Sequence, residues 1–254
     1  MDMSHHRAFT FVEMLVVVAI IAILGVLLFP MFQRVMDRVT VMKFCTRLQT
    51  VAKALQGYAA DHDATFPAFV DERVGNSLPA HWQGQIAPYL GEDIYSERYS
   101  SVAGIKASPL HDPADKTVNE DDGGKPQRNV AINGTTLLDA NGIPLGGTQI
   151  MGVTARRIST IARPGHLMMV GQGVDANISN IWGACARFGF GSDYFDHCQR
   201  YPEGMYFAFA DGHVDLRKYN WVKYEFDHRY DSAFFDWNGS ALNPEPLANP
   251  ENKE

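Results

Sequence analysis

Residues 9–32 read Phe-Thr-Phe-Val-Glu-Met-Leu-Val-Val-Val-Ala-Ile-Ile-Ala-Ile-Leu-Gly-Val-Leu-Leu-Phe-Pro-Met-Phe. From Met14 to Phe29 every residue is apolar or small, and Glu13 is the only carboxylate of the stretch. A helix rising about 1.5 Å per residue over these positions crosses a hydrocarbon core of roughly 30 Å. A charge at mid-membrane costs at least ~2.5–3.5 kcal/mol, so a chain keeps Glu13 only where it finds a partner. Pro30 cannot donate to the carbonyl of Val26 and, with Gly25, weakens the middle of the helix. A bend is expected there.

The pattern extends in both directions. Met1–Ala8 is a short polar leader with Asp2, His5, His6 and Arg7. An ordinary secretory signal has a shorter apolar core and loses it on processing. Downstream, Val35, Met36, Val39, Met42, Leu48, Val51, Leu55 and Tyr58 recur at steps of three and four, with polar residues between them. One helix is therefore expected over residues 9–62, apolar all round over 9–32 and then amphipathic. Its stripe should cover a globular domain. Pro67 lies past its end. The basic residues Arg34, Arg38, Lys43, Arg47 and Lys53 suit lipid head groups or acidic neighbours. Taken alone they would place this end in the cytoplasm, but large trailing domains are translocated regardless of such charge.

Residues 1–45 resemble the leader and N-terminal helix of type IV prepilins and of the pseudopilins of type II secretion. Arg7, Phe9, Glu13 and Pro30 all fall in register with that family, whose leader is cut just before a Phe. The residue before the cut is usually Gly; here it is Ala8, the nearest in size. The resemblance implies Ala8 and Phe9 as the processing site and an N-methylated Phe9. It also implies a leader that stays in the cytoplasm while the rest is exported. Phe9, Glu13, Gly25 and Pro30 become assembly residues, with Glu13 neutralising the Phe9 amine within a chain or between neighbours, and with local helix melting near Pro30 on packing. The implied partners are prepilin peptidase/N-methyltransferase, an inner-membrane pilus or secretion assembly machinery, the membrane, and further copies of the chain in a helical filament.

The net charge of −7 makes nucleic acid an unsuitable partner for the surface as a whole. Three cysteines occur. Cys45 lies in the long helix, whereas Cys185 and Cys198 are spaced to close a loop of about 14 residues in an oxidising compartment, worth roughly 3 kcal/mol. Two free thiols are the alternative. No Cys-x-x-Cys pair or His-Glu cluster indicates zinc, and no Gly-x-Ser-x-Gly or phosphate-cradling loop occurs. The expectation is no catalytic residue, no metal and no cofactor. Asn119–Gly123 offers acidic side chains for calcium, but not at the spacing of an EF-hand. Within 63–128, His81–Leu90 reads as a short helix or turn, and Asp112–Arg128 as a solvated loop.

Strands are expected at Arg128–Asn133, at Gly165–Gly171, and in a hairpin joining Met205–Ala210 to His213–Lys218. Asp211-Gly212 suits a tight type I′ turn, with Phe207 and Phe209 on one face. This hairpin, with Thr160–Gly171 before it, resembles the end of the H-X9-DG domain found behind prepilin-type leaders. Nine residues separate Tyr201 from Asp211, and at the position of Tyr201 that motif carries His, so a role needing the His does not transfer. Asp211 beside His213 would also suit a base with an orienting acid, in which case a deep pocket should surround them. The aromatic run from Trp221 to Trp237 suits core packing or an adhesive surface.

The fold expected is α+β and pilin-like: a leader at 1–8, the long helix at 9–62, a globular domain at 63–240 on an antiparallel sheet, and a disordered tail at 241–254. The expected function is a non-enzymatic structural subunit of a type IV pilus or related filament. It would be held in the inner membrane as a single-pass precursor before assembly at the cell surface. A pseudopilin of type II secretion and a membrane-anchored surface binding module are the alternatives. Motility, adhesion, DNA uptake and secretion are not distinguished, nor a major from a minor subunit.

Overall fold

The computed structural model describes residues 11–74, 78–116, 126, 128–134, 137–138, 141, 143, 152–173 and 199–222. Ala8, Phe9, Cys185, Cys198, Asn119–Gly123, residues 223–240 and the 241–254 tail lie outside them. The chain divides into two compact units, Met1–Met42 and Lys43–Glu254. The long helix α1 is continuous over Phe11–Asp61, and its helical backbone runs through Gly25 and Pro30 although Pro30 has no N–H to donate.

In the first unit α1 carries the apolar window, whose mean hydropathy is 3.0 and of which no residue is buried. It is the one helix among the described residues long and apolar enough to cross a membrane, by length and composition.

In the second unit α1 buries Phe44, Leu48, Val51, Ala52, Leu55 and Ala59. The steps 44, 48, 51, 55 follow one helix face, and burial of each large side chain contributes about 1.5–3 kcal/mol. The stripe starts later than the periodicity predicts. Val35, Met36, Val39 and Met42 keep between 38% and 68% of their surface in solvent. Cover begins at Phe44, where the Tyr201 ring stacks at a centroid distance of 5.6 Å.

The sheet is antiparallel and four-stranded. It comprises β2 (Val130–Ile132), β4 (Met168–Gln172), β5 (Met205–Phe209) and β6 (Val214–Arg217), in the order β2-β4-β5-β6. A parallel pair, β1 (Val70–Asp71) and β3 (Leu137–Leu138), stands apart. The residues His81–Leu90 form α2 (Trp82–Ile86) and a 3-10 turn over Ala87–Leu90, with Trp82 fully buried. Two further short helices, α3 (Glu97–Ser100) and α4 (Val102–Ala107), follow.

β4 and β5 are buried along their whole length, which is why both read as apolar runs. Gly171 pairs with Phe207 across the sheet, and a Cβ added at Gly171 would sit 2.1 Å from the Phe207 ring. The glycine makes room for the aromatic. The β5–β6 register places Leu216 opposite Tyr206 and Val214 opposite Ala208, on the face away from Phe207 and Phe209.

The turn differs from the type I′ expectation. Only Gly212 has positive φ, at +93°, while Asp211 does not. The Gly212 N–H donates to the Phe209 carbonyl at 2.8 Å and the Phe209 N–H to the His213 carbonyl at 2.9 Å. This is a three-residue hairpin with a glycine bulge, a geometry that asks positive φ of one residue rather than two.

Candidate functional site

The N-terminal apolar segment is built for an apolar environment. Glu13 stands in the first turn of α1, where a carboxylate meets the positive end of the helix dipole. The residues at 11–29 and 31–32 are exposed around the whole circumference. A Cβ added at Gly25 would meet nothing within 4 Å, so this glycine leaves a shallow place in the helix surface. Such a helix gains free energy by entering lipid or by packing against other apolar helices.

A buried polar hub, which sequence reasoning missed, ties the second unit together. Asp112 is wholly buried, contrary to the expectation of a solvated loop over Asp112–Arg128; Arg128 at the other end is buried too. The Tyr201 hydroxyl donates to Asp112 Oδ1 at 2.6 Å. Arg200 Nη1 lies 3.3 Å from Asp112 Oδ2, and its Nη2 donates to the Gly173 carbonyl at 2.9 Å. The Ala114 N–H also donates to Asp112 Oδ1, at 2.9 Å. Asn129 accepts from the Asp112 N–H at 2.7 Å and donates to Asp115. Arg47 on α1 donates to the carbonyls of His111 and Lys106 at 2.6 and 2.7 Å. Charge-assisted bonds of this kind compensate the desolvation of a buried carboxylate. Burial, followed by the neighbouring Asp112 carboxylate, pushes the Tyr201 phenol far up and keeps it a donor. Asp112-Pro113 carries a turn signature in sequence, but its partners lie 88 and 89 positions away, beyond any local pattern.

Tyr201 and Asp211-Gly212 flank β5 at opposite ends, so the nine-residue spacing is the length of one strand with its flanks. His213 Nδ1 lies 2.6 Å from Asp211 Oδ1, with 42% and 43% of the two side chains exposed. The His213 ring stacks on Phe209 with centroids 4.3 Å apart. Burial raises the Asp211 carboxyl, but hydrogen bonds from the ring and backbone N–H of His213 outweigh that and hold it below its ordinary value. The pair sits on an open hairpin. Neither of the two cavities described next includes it.

One cavity, of about 490 Å³, is lined by residues that include Tyr58, Asp61, His62, Asp63, Arg73 and Arg157. A second, of about 460 Å³, lies beside Leu90, Glu92, Ser108 and Arg128. At the first, Asp63, Ala64 and Ala155 have φ of 51°, 55° and 56°, and they are the only non-glycine residues with positive φ among the described residues. Left-handed backbone costs roughly 1–2 kcal/mol at such residues. Cys45 is a half-exposed free thiol whose pKa burial raises. Among the described residues no group of three or more His, Cys, Asp and Glu side chains could hold a metal.

The apolar start of α1, with an acid in its first turn, lies within a recognised sequence motif. Residues 3–29 match the family described as the prokaryotic N-terminal methylation motif. The match supports a type IV pilin-like or pseudopilin-type precursor, a substrate of prepilin peptidase. It does not extend to the hairpin, and the H-X9-DG resemblance stays a resemblance. No curated protein and no solved structure matches the chain.

Proposed function

We propose that this chain is a structural pilin-like subunit of a type IV pilus or related extracellular filament. Prepilin peptidase cuts between Ala8 and Phe9, and the new Phe9 amine is methylated. The precursor waits in the inner membrane with α1 as its single span and the C-terminal unit outside. Assembly then exchanges lipid for sister helices around the same apolar surface, so the subunit itself supplies no chemistry. Glu13, one helical turn from Phe9, neutralises the amine of its own chain or of a neighbour and sets the axial register. Gly25 and Pro30 let the helix loosen as it packs. The observation that carries this reading is the methylation motif over residues 3–29 running directly into a helix with no buried residue in its apolar window.

Glu13→Ala tests it. The variant should insert into the membrane as the parent does and be absent from sheared surface material, by immunoblot of both fractions. Normal incorporation of Glu13→Ala into filaments would overturn the role given to the acid. A pseudopilin shares every step up to extraction, and recovery of surface filaments containing the chain separates the two.

A further inference from the structure

We propose that the cavity at the C-terminal end of α1 binds a neutral saccharide of one or two rings. Its volume, about 490 Å³, falls in the range of small-molecule sites. His62 lies flat on Tyr58, with ring centroids 3.8 Å apart and planes 3° apart, and both rings line the cavity. Such a platform suits the C–H face of a pyranose. Around it stand groups that recognise hydroxyls. Asp61 and Asp63 supply acceptors, and Arg73 and Arg157 supply donors.

Two of these groups are already oriented. Asp71 grips Arg73 through Nε at 2.8 Å and Nη2 at 2.7 Å, and the Tyr89 hydroxyl donates to Asp61 at 2.8 Å. Orientation before binding lowers the entropy cost of capture. The cavity sets three carboxylates, those of Asp61, Asp63 and Asp71, against two guanidinium groups. So near a balance favours a neutral polyol over an ionic ligand, and the polar groups disfavour a purely apolar one. The left-handed residues Asp63 and Ala155 also line this wall, and strain held at one place in a fold marks function more often than stability. The site is independent of the filament reading, because it uses no residue of the apolar segment.

The test uses the full chain purified in detergent micelles and titrated calorimetrically. The probes are cellobiose, maltose and N,N′-diacetylchitobiose, with sialyllactose and a tetra-alanine peptide as the competing chemistries. At least one neutral disaccharide should bind saturably. His62→Ala and Asp63→Asn should each weaken it about tenfold, whereas His213→Ala should leave it unchanged. Both test positions are exposed, and Asn tolerates the left-handed backbone of position 63. Binding of sialyllactose or peptide alone would overturn the proposal. So would silence from all three neutral sugars, or binding that neither variant weakens. The mature N-terminus of the same preparation reports separately on filament processing.

Discussion

Tyr201 shows how one side chain can carry a fold. Its hydroxyl meets a carboxylate with no exposure to water, and its ring lies on Phe44 of α1. Tyr201→Phe keeps the ring and removes one bond to a buried charge. It should cost about 1–3 kcal/mol, read as a fall in Tm of roughly 2–4 °C per kcal/mol. An unchanged Tm would mean that Arg200, together with Gln172, whose Nε2 donates to Asp112 Oδ2 at 3.5 Å, holds Asp112 without it. Asp211 gives a pH signature. Its folded-state pKa is lowered, so its contribution is full above the ordinary carboxylate pKa and is lost as pH falls through the folded value. The pair is exposed, so the effect is small. His213→Ala should flatten the acid limb of a Tm profile between about pH 2 and 5, and an unaltered limb would show that other carboxylates dominate it. The adjacency of Asp211 and His213 was visible in sequence, whereas the role of Tyr201 was not, because its partner Asp112 came from a stretch whose composition reads as solvated loop.

At the scale of elements, α1 divides by what its side chains meet. Leu48→Ala should cost about 2–5 kcal/mol, since it opens a cavity in the core. Val39→Ala should change the stability of the isolated chain by less than about 0.5 kcal/mol. Chemical denaturation in detergent compares the two, and equal costs would contradict the division. Gly171→Ala forces a methyl into the Phe207 ring and should cost about 1–3 kcal/mol by overpacking. The helix, the buried strands at β4 and β5 and the hairpin were legible because each rests on a local period. The start of the buried stripe was not, because Val35 and Leu48 repeat alike in sequence and only the packing of Phe44 on Tyr201 tells them apart. The turn was misread for a related reason. Asp-Gly suits both hairpin geometries, and the Phe209–His213 hydrogen bond that selects one depends on strand register.

Across the whole molecule, an apolar helical segment and a folded unit share one chain, and the function proposed here has the first anchor the second. In the function proposed above, the surface of that segment is satisfied in lipid before assembly and against sister helices afterwards. The proposed pairing of Glu13 with the Phe9 amine would turn that apolar affinity into a defined register. The saccharide site proposed at the cavity would give that unit something to hold. The most direct test of this account is mass spectrometry of sheared surface material, reporting the first residue of the chain and its modification. The account predicts a polypeptide in the filament fraction that begins at Phe9 with an N-methyl group. A chain that still begins at Met1, or one trimmed beyond Phe32, would contradict it.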